Sequence, residues 1–269
     1  MQPAHRGESA ACKAGNPSFS FNCMDFAWLC LYLLAVRFAC GVVSGATAIG
    51  GVMLSMPLLM AVFTPVEAVL LSTVMGVFSV PQMAWLYHRY CTYRDVFCLA
   101  LGCLPGCLLG AFILTVAPMR VLQLMICALL FCFIALQYLR RFASWRLPDS
   151  LSAGIVAGAV CGFVSASVAM AGAPLGIYVL LKHWDPDRAR GNMSMFYVFT
   201  VGGSVLSQAG AGLYKPELLK LAIVGVAGNL LGQFLGYRLG KRVNHQVFRR
   251  IITGFLAVAA CVLLWRAMF

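Results

Sequence analysis

The sequence predicts an all-α, polytopic membrane protein with about eight transmembrane helices, two short re-entrant half-helices and two homologous repeats. Three observations lead to this prediction. Only 10% of the 269 residues are charged, whereas ordinary soluble chains carry about 25%. Apolar runs of membrane-spanning length follow one another along the chain. A stretch that begins at Cys40 also recurs, without a gap, 121 positions later.

The apolar runs follow an N-terminal tail and define a series of predicted spans. Residues 1–25 are polar, contain Gly and Pro, and lack the pattern of a cleavable signal peptide, so we expect a flexible tail. Each later run is close to the roughly 20 residues that cross a hydrocarbon core. The predicted spans are 26–47, 66–87, 95–117, 121–140, 151–171, 193–213, 218–237 and 249–267.

Two apolar segments are too short to cross the membrane unless they are tilted. They cover residues 52–63 and 174–182 and follow the first and the fifth predicted span. Segments of about 9–12 residues suit half-helices that enter the membrane and return. We therefore expect a re-entrant helix at the same place in each half of the chain.

An internal repeat relates the two halves. Residues 40–80 and 161–201 share 13 identities over 41 aligned positions, whereas composition alone would give roughly three. We therefore divide the chain, after its tail, into a first transmembrane repeat (26–140), a linker loop (141–150) and a second transmembrane repeat (151–269).

The basic residues favour an inverted arrangement of these repeats. If each repeat opens with a hairpin of a span and its short follower, the loops on one face carry 13 Lys and Arg residues and those on the other face carry 6. If the first span instead crosses fully and the short piece dips and returns, the split is 10 against 9. Because positive loops stay in the cytoplasm, the hairpin arrangement is favoured, and it places both termini outside the cytoplasm.

Small and hydroxyl-bearing residues interrupt the apolar character at equivalent points of both repeats. Gly permits backbone that a regular helix forbids, and such backbone is tolerated in lipid only where it is buried or lines a cavity. The short helix that follows begins with unpaired N–H groups and the positive end of its dipole, which together suit an anion. The predicted substrate-binding residues of these segments are Ser44, Thr47, Gly50, Gly51, Ser165, Ser167, Gly172 and Pro174. The alternative is that the small residues only permit close helix packing.

Two polar residues outside these segments are further candidates for substrate binding. Arg37 lies near the middle of the first apolar span, and an intramembrane charge is a functional-site hypothesis by default. Asn192, at the start of the sixth span, is placed to line the same cavity. The alternatives are that Arg37 reaches to the membrane interface and that Asn192 belongs to a helix cap.

The most specific motif is a glycine-rich stretch that occurs in both halves. Residues 41–51 read G-x-x-S-G-x-x-x-x-G-G, an apolar run with Pro57 follows, and the second half repeats the pattern with Gly172-Ala173-Pro174. On these residues the chain, after residue 26, resembles the TauE/SafE family of sulfite exporters and related anion permeases. The family's Gly-rich segment maps here onto Ala48–Gly51 and Ala169–Gly172, with Ala at 169 and 171 where Gly is usual.

The resemblance implies export or uptake of sulfite, sulfonates or similar sulfur-containing anions across the bacterial cytoplasmic membrane. The expected function is therefore that of a secondary transporter, a permease or exporter, working by alternating access. Its expected partners are the small anion and the lipid bilayer, and its Gly-x-x-x-Gly faces permit a homodimer. The net charge of +12 lies mostly in short loops, so we expect no nucleic acid. No metal, cofactor or catalytic residue is predicted.

Other classes of function fit the sequence less well. A cation transporter would need carboxylates inside the membrane, but the acidic residues lie in the tail or at span ends. An intramembrane serine protease would need a buried general base, yet all 4 His fall in the tail or in loops. A thiol oxidoreductase would need a C-x-x-C pair, which the sequence lacks. Cation transport by backbone carbonyls and a non-transporting membrane assembly subunit stay open.

Overall fold

The computed structural model describes residues 23–47, 51–139, 150–214 and 216–240, and these residues form helices and short connections only. A 3-10 turn over His88–Tyr90 precedes the fourth helix. The helices are α1 (Cys23–Thr47), α2 (Gly51–Leu59), α3 (Pro65–Tyr87), α4 (Tyr93–Val116), α5 (Met119–Leu139), α6 (Leu151–Val168), α7 (Gly172–Lys182), α8 (Pro186–Gly210) and α9 (Pro216–Gly240). For the described residues, the all-α prediction is confirmed.

Five of the described helices are long and apolar enough to cross a membrane. Their spanning stretches are Trp28–Ala46, Pro65–Tyr90, Tyr93–Val116, Leu151–Val168 and Leu218–Leu239. These stretches match five of the predicted spans, so the polytopic membrane class is confirmed. Helix α5 contains the apolar stretch Met119–Cys132, beyond which several of its side chains are not described. The sixth predicted span lies in α8, a more polar helix, and the eighth lies outside the described residues. The count of eight therefore stays a prediction.

Helix α4 shows how these helices divide their surface between lipid and protein. Leu104, Leu108 and Phe112 follow one another at intervals of four residues, and each side chain is more than half exposed. In water such a row would expose a large apolar surface to solvent, whereas in a bilayer the same surface contacts the acyl chains. The opposite side of α4 carries Gly102 and Gly106, which are buried against α6.

Glycines bring two pairs of helices into backbone contact. A Cβ at Gly106 of α4 would collide with the carbonyl of Ala159 in α6. In the same way, a Cβ at Gly228 of α9 would lie 2.7 Å from the carbonyl oxygen of Leu34 in α1. Gly45, within the glycine-rich stretch, touches the backbone of α9. Close packing of small residues therefore holds α4 along α6 and α1 along α9.

Each short helix packs against the helix that precedes it. Gly51, at the start of α2, adjoins Ser44 near the end of α1. Near the other end of the pair, the Tyr32 hydroxyl donates a 2.7 Å hydrogen bond to the carbonyl of Leu58. Helix α2 therefore runs back along α1 as a hairpin, and α7 lies along α6 in the second half.

The start of α8 meets the start of α4 at one end of the molecule. The Asn192 side-chain oxygen accepts a 2.6 Å hydrogen bond from the Thr92 N–H. Beside it, the Arg188 guanidinium lies 2.6 Å from an Asp95 carboxylate oxygen. These contacts bring the start of α8 together with the start of α4, next to the 3-10 turn that contains Arg89.

The acidic residues at the start of the long helices have structural roles. Thr64 and Glu67 form a capping box, in which each side chain satisfies the other residue's backbone N–H at the start of α3. Helix α8 begins with Pro186 directly after Asp185, and a proline in the first helical turn removes no intrahelical hydrogen bond. In the first turn of α8, the Asp187 carboxylate lies 3.5 Å from the Arg190 guanidinium.

Candidate functional site

A cavity of about 110 Å³ lies between helices of both halves of the chain. A single water molecule needs roughly 10–15 Å³ of such space, so the cavity has room for several waters or a small solute. Among the described residues that line it, Arg37 is the only charged one. The polar residues on its wall are Arg37, Ser44, Ser72, Thr73, Ser79, Ser165, Ser194, Tyr197, Asn229 and Gln233.

Both helix interruptions border this cavity. Helix α6 ends at Val168, and Ala169 adopts a left-handed backbone with φ of 56° before α7 begins at Gly172. Helix α1 ends at Thr47 and α2 begins at Gly51, and the three residues between them lie outside the described part of the chain. The first turns of α2 and α7 bring backbone N–H groups and positive dipole ends to the cavity wall.

The starts of the two short helices approach each other. A Cβ at Gly172 of α7 would lie 3.0 Å from the Met53 Cε of α2 and 3.2 Å from the Tyr197 hydroxyl of α8. A Cβ at Gly51 would lie 2.7 Å from the carbonyl oxygen of Cys40. A side chain at Gly51 would therefore push against fixed backbone, whereas one at Gly172 would meet only the ends of two side chains.

The Arg37 guanidinium is buried beside Ser72. Arg37 is 2% exposed, and its Nη2 atom donates a 2.7 Å hydrogen bond to the Ser72 hydroxyl. Its Nε atom has no hydrogen-bond partner among the described residues. The ion pairs found in the described part of the chain join Arg188 to Asp95 and Arg190 to Asp187, so they leave Arg37 without a carboxylate. A buried cation without a counter-charge favours an anion in the adjoining cavity.

Hydroxyl and amide groups supply further hydrogen-bonding capacity. Ser79 accepts a 2.6 Å hydrogen bond from the Asn229 side-chain amide. The Ser194 hydroxyl and the Gln233 side-chain oxygen are buried, and neither has a hydrogen-bond partner in the described part of the chain. Buried polar groups are normally satisfied by protein or water, and the exceptions require an explanation. Because Ser194 and Gln233 line the cavity, a solute or water in that space would satisfy them.

Apolar side chains complete the wall. Met53, Met83 and Met170 border the cavity together with Val80 and Val201. Methionine is flexible and polarisable, so it adapts to irregular solutes. The cavity therefore combines one cation and several neutral hydrogen-bonding groups with an apolar lining.

The structure brings together half of the substrate-binding residues predicted from the sequence. The predicted residues on the cavity wall are Arg37, Ser44, Gly51, Ser165 and Gly172. Gly50 lies outside the described residues, and Thr47 belongs to α1 but its side chain is not described. The remaining three predicted residues are described, and they do not line the cavity.

Those three residues make other contacts. The Ser167 hydroxyl donates a 2.7 Å hydrogen bond to the Phe163 carbonyl of its own helix. Pro174 faces a separate, open groove between α6 and α7. Asn192 accepts the hydrogen bond from Thr92 described above, and its amide also lies 3.4 Å from Asp95. Asn192 therefore fixes the start of α8 against the start of α4, which is close to the cap role given above as the alternative.

The polar residues of the described wall outside the predicted binding set are Ser72, Thr73, Ser79, Ser194, Tyr197, Asn229 and Gln233. Ser79 follows Ser72 by seven residues, or two helical turns, and Tyr197 follows Ser194 by three. In a helix these intervals place side chains on one face. A search for polar residues at helical intervals along α3 and α8 would have identified Ser79 and Tyr197.

The described residues contain no evident metal-binding site. Among the described residues, no group of three or more His, Cys, Asp or Glu side chains is arranged to hold a metal ion. The cavity wall instead offers hydroxyls, amides and one guanidinium, which are groups that hold an anion through hydrogen bonds.

Comparison with known families identifies the chain. Residues 33–263 match the family described as Sulfite exporter TauE/SafE. The chain belongs to this family. Its members are transporters rather than enzymes, which confirms both the resemblance noted in the sequence and the expectation of a non-enzymatic membrane protein. Comparison with curated proteins and with solved structures finds no match.

Proposed function

We propose that the protein is a secondary transporter that moves a small sulfur-containing anion, such as sulfite or an organosulfonate, and holds it in the cavity between the interrupted helices. The observation that carries this proposal is Arg37. Its guanidinium is 2% exposed, borders the cavity and has no acidic partner within the described residues.

The energetics of Arg37 favour an anionic substrate over a cationic one. A charge near the middle of a transmembrane helix costs about 2.5–3.5 kcal/mol on insertion scales. An anion in the cavity offsets part of this cost, because it supplies the counter-charge that the described protein residues do not. A cation in the same cavity would be repelled by Arg37, so cation transport is the weaker alternative.

The geometry of a sulfur oxyanion suits the groups on the wall. Its oxygens accept hydrogen bonds from the Arg37 guanidinium and from hydroxyls such as Ser194 and Ser165, which lie on different helices around the cavity. The backbone N–H groups at the starts of α2 and α7 add donors without adding full charges. Discontinuous helices that point their N-termini at an anionic group are a recurring construction in secondary transporters.

The pattern of helix packing supports two inverted repeats. In the proposed repeats, α1 corresponds to α6 and α4 corresponds to α9. Helix α1 packs on α9 of the other half, and α6 packs on α4. The first helix of each half therefore packs on a helix of the other half, and the two pairs are equivalent, as a two-fold axis between the halves would produce. The central pair, α3 and α8, which correspond to each other, are also in contact.

Two hydrogen bonds at equivalent positions support the same relation. The Tyr87 hydroxyl donates to the carbonyl of Gly45 at 3.3 Å, and the Gln208 amide donates to the carbonyl of Ala166 at 2.9 Å. Donor and acceptor are shifted by 121 positions in both cases. Each bond satisfies a carbonyl in the last turn of a helix that is about to break. Two matching hydrogen bonds of this kind are consistent with a transporter in which one half rotates as a rigid body against the other around a fixed site.

Transport in reconstituted vesicles tests the proposed function. Proteoliposomes that contain the purified full-length chain are given sulfite, thiosulfate, sulfate and small alkanesulfonates, and the flux of each is compared with that in protein-free liposomes. We expect flux of at least one sulfur-containing anion above the protein-free level. Equal flux in both preparations for every anion in the panel would contradict the proposal.

A further inference from the structure

We infer that the anion held in this cavity carries a single negative charge, so that the hydrogensulfite ion or a small alkanesulfonate fits and a dianion such as sulfate does not, and that the apolar lining favours the alkanesulfonate. The inference rests on the proposed function and narrows the substrate class of the same site. It is carried by two features of the wall: one cation among neutral groups, and an apolar lining beside them.

The charge of the described wall is +1. Arg37 is its only charged residue, and the remaining polar groups are neutral hydroxyls and amides. The equivalent position in the second repeat, 121 residues later, is Gly158. A Cβ at Gly158 would collide with the backbone of Leu99, so that position has no room for a second cationic side chain. The asymmetry between the two halves therefore leaves the described part of the wall with one positive charge.

Charge balance then selects the substrate. A monoanion beside Arg37 forms a neutral pair, whereas a dianion leaves one negative charge without a partner inside the protein. An unpaired charge removed from water is strongly unfavourable, and dipoles of hydroxyls compensate it only in part.

The apolar lining supplies the second criterion. Met53, Met83 and Met170 lie on the wall with Val80 and Val201. A fully hydrated, all-oxygen solute makes no favourable contact with such groups. The methyl or methylene group of an alkanesulfonate removes apolar surface from water when it packs against them.

A matched pair of anions tests this inference. Methanesulfonate and sulfate both have tetrahedral sulfur, and they differ by a methyl group in place of one charged oxygen. Each is titrated as an inhibitor of sulfite flux in proteoliposomes of the wild-type protein. We expect methanesulfonate to inhibit at a concentration at least about tenfold lower than sulfate does, because only the monoanion balances the charge of Arg37.

A gain of charge provides a second test. Replacing Gln233, which lines the cavity and is 5% exposed, by Lys adds a second cation to the wall. In Gln233→Lys, sulfate should inhibit more strongly relative to methanesulfonate. The control is Ser152→Lys, which adds the same charge at an exposed position at the start of α6, away from the cavity. This control should keep the wild-type ratio of the two inhibitors.

The outcomes separate this inference from the proposed function. If no anion moves above the protein-free level, the proposed function fails. If sulfite moves and sulfate inhibits as well as methanesulfonate, or methanesulfonate does not inhibit, the proposed function stands and the inference is overturned. The comparison in the wild-type protein decides the inference even where Gln233→Lys fails to fold.

Discussion

Arg37 defines the candidate site at the scale of single residues. It supplies the one charge on the described wall, and its Nη2 atom reaches Ser72 on α3 at 2.7 Å. Because Nε has no partner among the described residues, the guanidinium retains a donor for a solute. The proposed site therefore depends more on Arg37 than on any other residue.

Removing the charge of Arg37 should strongly reduce anion flux. Hydrogen bonds to charged groups contribute about 1.5–3 kcal/mol, which corresponds to about a 10- to 100-fold loss of apparent affinity in Arg37→Gln. Arg37→Lys keeps the charge but loses the planar donor group, so it should retain part of the activity. Sulfite flux into proteoliposomes measures both variants. The control is Arg120→Gln, which removes an exposed charge and should behave as wild type; equal flux in Arg37→Gln and wild type would contradict the role.

The left-handed backbone at Ala169 predicts a stabilising substitution. A non-glycine residue in this conformation costs about 1–2 kcal/mol, whereas Gly adopts it without steric cost but loses about 0.5–1 kcal/mol of backbone entropy on folding. Ala169→Gly should therefore stabilise the protein. The thermal unfolding midpoint in detergent should rise by about 2–4 °C for each kcal/mol of net gain in the free energy of unfolding. The matched control is Ala227→Gly in the exposed interior of α9, where the midpoint should fall. A fall of similar size in Ala169→Gly would argue against the left-handed backbone.

Part of the site is predictable from the sequence because the motif lies on contiguous residues. Ser44, Gly51 and their equivalents lie beside helix breaks, and the small residues of the sequence indicate these breaks. By contrast, the contact of Asn192 with Thr92 joins residues 100 positions apart, and local sequence carries no signal for such a pair. The motif also does not indicate which hydroxyls face the cavity. Ser165 and Ser167 lie in the same stretch, yet only Ser165 lines the cavity.

At the scale of helices, the starts of α2 and α7 determine how the cavity is built. Both begin with a glycine, but the two glycines have different neighbours. Gly51 adjoins the carbonyl of Cys40, whereas Gly172 adjoins the end of the Met53 side chain and the Tyr197 hydroxyl. Backbone cannot move as a flexible side chain does, so the two helix starts should differ in their tolerance of substitution.

The two glycines should respond differently to alanine. Gly51→Ala should abolish or severely reduce both folding and flux, because its Cβ would lie 2.7 Å from a fixed carbonyl oxygen. Gly172→Ala should fold and lose flux only partly, because the neighbouring side chains can shift. Size-exclusion profiles in detergent and sulfite flux measure the two effects. The control is Gly176→Ala, where nothing lies within 4 Å of an added Cβ, and it should match wild type. Equal tolerance at Gly51 and Gly172 would contradict the packing described.

The helix pairs also show what the sequence could establish about the fold. The apolar runs predicted the positions of five spans, because length and hydropathy suffice for that purpose. The exchange of partners, with α1 on α9 and α4 on α6, is not visible in hydropathy. It depends on glycine faces such as Gly102 and Gly106, whose partner helix is decided by the rest of the bundle.

At the scale of the whole molecule, the basic loops assign an orientation. The 3-10 turn that contains Arg89 and the connection that follows Lys182 lie at the end of the molecule where Arg188 pairs with Asp95. The connection at Gly212 follows α8, which begins at that end and has 25 residues. The positive-inside rule places the basic end in the cytoplasm, so the connection at Gly212 should face the other side.

Reporter fusions test this orientation. A fusion after Trp184 should give a cytoplasmic signal, and fusions after Ala10 and after Gly212 should give signals from outside the cytoplasm. A second reporter, which is active only on the opposite side of the membrane, is fused at the same positions and should give the complementary result at each. Cytoplasmic signals from Ala10 and Gly212 would contradict the hairpin arrangement and, with it, the inverted relation of the repeats.

The central claim is that an anion binds beside Arg37 between the two helix interruptions. Crystals of the protein soaked in selenite, an analogue of sulfite, test it directly, because diffraction at the selenium absorption edge locates the anion by its anomalous signal. We predict a peak within hydrogen-bonding reach of the Arg37 guanidinium, in the cavity that Gly51 and Gly172 border, and its loss in Arg37→Gln. Selenium bound elsewhere with this cavity filled by protein, or uninterrupted helices in place of the α1–α2 and α6–α7 breaks, would contradict the account.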